Sequence, residues 1–83
     1  MPFDREKACN LIRKANELVF SNCPTGADEW IRTNRDDLFC RINDAGKAVD
    51  AAILSDNASA FLAALESYIR ENVQAHEIYR QVG

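Results

Sequence analysis

Apolar residues recur at intervals of three and four along almost the whole chain, and only residues 21–26 and 55–57 interrupt this pattern. The spacing places the apolar side chains on one face of an α-helix. Nowhere do β-branched or aromatic residues alternate with polar ones over five positions, as they would in a half-buried strand. We therefore predict three helices and no strand: helix 1 over about residues 4–20, helix 2 over about residues 25–54 and helix 3 over about residues 58–81.

Two interpretations fit helix 2. Its apolar positions keep a helical phase from Ile31 onwards, which favours one continuous helix ending near Leu54. Thr33 or Asn34 could instead cap a second helix, because their side-chain oxygens can accept from the free amides of a first turn. We take the continuous helix as the prediction and a break near Asn34 as the alternative.

The links between the helices are short, so consecutive helices should be antiparallel neighbours. A chain of 83 residues has the size of one domain with a thin core. The predicted fold class is all-α. It is a single helical domain over residues 1–83, an up-down-up three-helix bundle with a long antiparallel hairpin of helices 2 and 3.

The three predicted helices differ in length. At 1.5 Å per residue, helix 1 would be roughly 26 Å long and the other two roughly 35–42 Å. Helix 1 would then leave the tip of the hairpin, about residues 45–65, uncovered, and an uncovered apolar stripe usually marks an interface. A break near Asn34 would remove this mismatch. The residues predicted to bind a partner are five at the tip and one aromatic residue beside the stripe of helix 2: Val49, Ile53, Phe61, Leu62, Leu65 and Phe39.

Charge and hydropathy argue against several classes of protein. The 10 basic and 13 acidic residues give a net charge of −3, which provides no basic surface for a nucleic acid. No apolar run approaches the ~20 residues that span a bilayer. The charged N-terminal residues 1–7 precede no apolar stretch, so we expect no secretory signal and a cytoplasmic protein.

Few residues could carry chemistry. Cys9, Cys23 and Cys40 are 14 and 17 residues apart, and His76 is the single histidine. This pattern lacks the paired short spacings of a structural zinc site, so we expect free thiols, no metal and no cofactor. The end of helix 3 returns towards the link between helices 1 and 2, which makes Cys23 and His76 the one nucleophile–base pair that the topology could bring together. Asp28 suits a helix N-terminus, where negative charge is favoured.

We predict no catalytic residue and no enzymatic activity. The sequence favours a small cytoplasmic protein-interaction module that self-associates or docks a protein partner through exposed helix faces. One alternative is a dimeric nucleic-acid-binding or regulatory protein that pools Arg32, Arg35 and Arg41. Another is a small helical enzyme or ligand binder around His76.

Overall fold

The computed structural model describes residues 3–82, and these residues form four helices. Helix accounts for 86% of residues 3–82, and this part of the chain contains no strand, which confirms the all-α fold class. Met1, Pro2 and Gly83, the ends of the predicted domain, lie outside the described residues. No helix within residues 3–82 has both the length and the apolar character needed to cross a membrane. The helices are α1 (Arg5–Ser21), α2 (Ala27–Asn34), α3 (Asp36–Leu54) and α4 (Ala58–Val82).

The prediction of one continuous helix over residues 25–54 is wrong, and the alternative break is present at Arg35. The backbone of Arg35 leaves the helical region at φ −132° and ψ 70°. Thr33 and Asn34 do not cap the new helix: their side chains donate to the carbonyls of Glu29 and Trp30, at 2.8 and 3.2 Å, within α2. Competition of this kind between side chain and backbone weakens a helix locally.

The start of α3 is favoured by its acidic first turn. Asp36 and Asp37 lie there, where the helix dipole stabilises negative charge. The apolar phase of the sequence continues across the break because only one residue separates the two helices. The periodic pattern therefore looks continuous although the helix is not.

The longest helix, α4, contacts each of the other three. It is antiparallel to α3 across the link at residues 55–57, and Asn57 caps its first turn by accepting from the Ala60 amide at 3.0 Å. It is parallel to α1, because contacts between the two helices advance together along both, from Arg5 with Asp56 to Asn16 with Tyr68.

Two clusters of buried side chains form the core. The first lies at the tip of the α3–α4 hairpin and joins α1 to it; its buried members are Ala8, Ala15, Val49, Ala52, Phe61 and Leu65. The second joins α2 and the start of α3 to the C-terminal half of α4; its buried members are Ile31, Leu38 and Ala75.

The expectation that the hairpin tip is uncovered is wrong. Phe3 packs edge-on against Phe61 with ring centroids 5.6 Å apart, and Arg5 contacts Asp56 at 3.3 Å, so the start of α1 lies at the tip. The reason is the break at Arg35. It leaves α3 with 19 residues beside the 17 of α1, roughly 28 and 26 Å, so α1, which packs on α4, is long enough to reach the tip.

Candidate functional site

The six residues predicted to bind a partner differ in exposure. Three are buried, two are half-buried and one is exposed. Their order from buried to exposed is Val49, Phe61 and Leu65, then Phe39 and Ile53, then Leu62. The buried side chains serve the core, so of the six only Leu62 presents most of its surface to a partner. Partner binding by this set stays a prediction.

Sequence reasoning missed a different apolar surface, which we call the α1/α4 strip. Leu11 and Leu18 lie on one flank of α1, and Leu62 and Val73 lie on the neighbouring flank of α4, each between 41% and 62% exposed. Leu18 and Val73 line one cavity together with Val19 and His76, so the two flanks meet. The seven-residue interval from Leu11 to Leu18 is visible in the sequence and places both leucines on one face of a helix. It predicts an exposed apolar surface only when the face of α1 that packs in the core is already known.

Opposite charges border the α1/α4 strip. Lys14 is three residues after Leu11 and four before Leu18, so it lies beside them on α1. Glu66 is four residues after Leu62 and lies beside it on α4, where it forms an exposed ion pair with Arg70 at 3.3 Å. Asn16 and Tyr68, each two residues further on, share a hydrogen bond of 3.2 Å, which places Lys14 and Glu66 at the same level along the two helices.

A groove between α1 and α3 runs along α4 on the other side of the molecule. It encloses about 400 Å³, and Ile12, Ile42 and Leu65 supply apolar walls. Tyr68 lies in it and donates a hydrogen bond to Asn16. Burial, with a smaller contribution from the charge of Asp28, raises the pKa of Tyr68 above its ordinary value.

Of the three arginines that could be pooled for nucleic-acid binding, Arg35 is hydrogen-bonded within the chain. The Arg35 guanidinium donates to both carboxylate oxygens of Asp37 at 3.0 Å. This hydrogen bonding raises the pKa of Arg35 and lowers the pKa of Asp37. Arg35 therefore offers a phosphate backbone less free charge than its position in the sequence implies.

The structure brings Cys23 and His76 together, as the topology indicated they could be. The Cys23 Sγ lies 3.5 Å from His76 Nε2. The sequence did not place Asp28 there, yet its Oδ1 also lies 3.5 Å from the same nitrogen. The three ligand atoms lie within 4.8 Å of one another, and we call this group the Cys23–Asp28–His76 cluster.

Each member comes from a different element. Cys23 is in the link between α1 and α2, Asp28 is in the first turn of α2, and His76 is on α4. His76 is only 3% exposed, whereas the side chain of Asp28 is 63% exposed. The cluster therefore has a buried side formed by the imidazole and an open side formed by the carboxylate.

The link that carries Cys23 is tied to α4 on both sides of the cysteine. Arg80 donates to the Asn22 carbonyl, and Tyr79 donates to the Thr25 carbonyl at 3.1 Å. Gly26 then turns the chain into α2 with φ +84°, a conformation that glycine adopts without strain. These contacts hold the Cys23 backbone in place relative to His76.

The electrostatics of the cluster oppose nucleophilic chemistry. Burial, and then the charge of Asp28, raise the pKa of the Cys23 thiol, while Arg80 acts in the opposite direction. A reactive cysteine needs a lowered pKa. Both Cys23 and Asp28 also approach the same nitrogen of His76, whereas a catalytic triad uses one nitrogen for the nucleophile and the other for the acid. The three side chains instead present atoms that could act as ligands to a single ion.

Comparisons with known proteins do not identify a function for the α1/α4 strip or for the Cys23–Asp28–His76 cluster. The chain matches no protein-family model, and it has no significant match among curated proteins or among solved structures.

Proposed function

We propose that the protein is a small protein-interaction module that self-associates through the α1/α4 strip. The observation that carries this proposal is the exposure of four large apolar side chains on adjoining flanks of two packed helices. Isolated exposed leucines are ordinary on a protein surface, whereas a continuous apolar patch favours association.

The charges at the borders favour a second copy as the occupant. A two-fold axis parallel to the helices would set α1 of one copy against α4 of the other. Because Lys14 and Glu66 are at one level, this axis would place the Lys14 of each copy opposite the Glu66 of its partner. A self-complementary arrangement of this kind is what an isologous interface requires.

Sedimentation equilibrium over a range of micromolar concentrations tests the proposal. We expect the wild-type chain to dimerise, and Leu18→Asp to shift it to a monomer, because a charge would lie in the apolar contact. Leu54→Asp is the matched control, since Leu54 is 77% exposed but lies at the end of α3, outside the α1/α4 strip. Helicity measured by circular dichroism should be unchanged in both variants.

A charge exchange tests the orientation. Lys14→Glu should weaken the dimer by opposing Glu66 of the second copy, and the double variant Lys14→Glu/Glu66→Lys should restore it. A wild-type chain that stays monomeric throughout the range would refute self-association. Dimerisation without rescue by the double variant would refute the parallel two-fold arrangement.

A further inference from the structure

The Cys23–Asp28–His76 cluster has the composition of a binding site for a transition metal. It offers one thiolate sulfur, one imidazole nitrogen and one carboxylate oxygen, each from a different element of the fold. Sulfur and imidazole together favour Zn²⁺ and similar d-block ions, whereas Mg²⁺ and Ca²⁺ prefer sets of oxygen ligands.

The distances fit a tetrahedral ion. Zinc bonds of about 2.3 Å to sulfur and about 2.0–2.2 Å to nitrogen and oxygen give ligand–ligand edges of roughly 3.4–3.6 Å at the tetrahedral angle. Cys23 Sγ to His76 Nε2 and Asp28 Oδ1 to His76 Nε2 are both 3.5 Å. The third edge, between Cys23 and Asp28, lies within 4.8 Å, so the exposed carboxylate would have to move by up to about 1.2 Å to complete the tetrahedron.

Hydrogen bonding accounts for part of the arrangement: the Cys23 thiol can donate to the Pro24 carbonyl at 3.5 Å, which leaves the sulfur lone pairs free to face His76 Nε2. A single imidazole nitrogen either donates one proton or accepts one, so it cannot bond fully to both Cys23 and Asp28. His76 is nearly fully buried, and its Nε2 points at these two groups. A shared cation would satisfy all three electron-pair donors at once, and a thiolate with a carboxylate would balance the two positive charges of Zn²⁺.

The surroundings provide order and access. The cysteine backbone is held by the bonds that Arg80 and Tyr79 donate to the link, so the sulfur and the imidazole are positioned before an ion arrives. The positive charge of Arg80 is offset by Glu77 at 3.2 Å. The Asp28 side chain is 63% exposed, so an ion and a water ligand would reach the cluster from this side.

We propose that Cys23, Asp28 and His76 bind one zinc-type divalent ion in tetrahedral geometry, with water as the fourth ligand. Binding forms the sulfur–metal bond and releases the Cys23 proton to the solvent. Three protein ligands and one open position distinguish this site from closed structural zinc sites, which have four protein ligands.

Titration of the full chain with Co²⁺, followed by absorption spectroscopy, tests the proposal. We expect saturation at one ion per chain, a thiolate-to-cobalt charge-transfer band, and the ligand-field bands of a tetrahedral ion. Added Zn²⁺ should displace the cobalt, and Mg²⁺ should not. Cys23→Ser should abolish the charge-transfer band. Asp28→Asn should weaken metal binding by at least roughly 10-fold, because removing even a residue that only hydrogen-bonds to a metal ligand weakens binding by about that factor.

The two other cysteines provide matched controls. Cys9 and Cys40 are free and exposed, so Cys9→Ser and Cys40→Ser should leave the spectrum unchanged. The proposal is overturned by a failure to saturate, by a charge-transfer band that survives in Cys23→Ser, or by its equal loss in either control. Because Cys23 is half-buried and Asp28 is exposed, their variants should fold, and circular dichroism verifies this.

Discussion

Phe61 and Leu62 are neighbours on α4 that differ sharply in burial, and they test whether α1 covers the hairpin tip. Phe61 is 2% exposed and Leu62 is 57% exposed. Phe61 touches the tip core and the ring of Phe3, which precedes α1. If the tip were open, truncating either residue would have a similar effect.

The structure predicts unequal costs. Removing a fully buried phenylalanine side chain lowers the free energy of unfolding by about 3–5 kcal/mol, through lost burial and the cavity left behind. Full burial of a leucine side chain is worth about 1.5–3 kcal/mol, so truncating one that is more than half exposed should cost about 1 kcal/mol or less. The total stability of an 83-residue chain is roughly 4–12 kcal/mol, so Phe61→Ala should approach the limit of folding.

Urea denaturation followed by circular dichroism measures both variants at a concentration at which the chain is monomeric, because Leu62 also belongs to the α1/α4 strip. Phe61→Leu is a milder change if Phe61→Ala does not fold. The Phe3–Phe61 pair should also show a coupling energy of about 0.5–1.5 kcal/mol in a double-mutant cycle, beyond the area that the rings bury. Equal costs for Phe61→Ala and Leu62→Ala, together with no coupling to Phe3, would refute the placement of α1 on the tip.

The remaining predictions concern the two described glycines and one tyrosine. Gly46→Ala should raise the free energy of unfolding by about 0.5–1 kcal/mol, because the position is helical and a Cβ there would meet Tyr68 at an ordinary 4.0 Å; Gly26→Ala should lower it by about 1–2 kcal/mol, because φ is +84°. Thermal denaturation compares the two, and a stabilising Gly26→Ala would contradict the left-handed turn. The raised pKa of Tyr68 means that the folded chain favours the protonated phenol. The resulting contribution to the free energy of unfolding is present below the ordinary pKa of 10.0 and is lost as the pH rises through the pKa of the folded chain. Urea midpoints should therefore fall more steeply above pH 10.0 in the wild type than in Tyr68→Phe, and parallel curves would contradict a raised pKa of Tyr68.

The helical character of the chain could be predicted from the sequence because it depends on local spacing. Residues three and four apart share a helix face whatever the rest of the chain does. The all-α class and the two main links could therefore be predicted from the sequence. A break near Asn34 could be predicted only as an alternative to one continuous helix, because a single non-helical residue hardly changes the spacing of the apolar residues. The error about the hairpin tip followed from that one residue, because the relative lengths of the helices decide what α1 covers.

The cluster was partly predictable for the same reason. The return of α4 towards the link between α1 and α2 indicated that Cys23 could reach His76. Asp28 joins the cluster because α2 packs against α4 after the break at Arg35. The orientation of α2 relative to α4 cannot be predicted from the local spacing of residues. Asp28 therefore looked like an ordinary acidic residue in the first turn of a helix.

The parallel packing of α1 on α4 has a consequence for the order in which the chain assembles. The α3–α4 hairpin closes across three residues, whereas the contacts of Arg5 with Asp56, Asn16 with Tyr68 and Cys23 with His76 join residues 51, 52 and 53 apart. Closing a long loop costs more entropy than closing a short one, so the hairpin can form first and α1 docks onto it afterwards. The three ligand groups meet only in that last step. Any opening that releases α1 and its following link separates Cys23 from His76 while the hairpin persists, so the cluster exists only in chains that have completed folding.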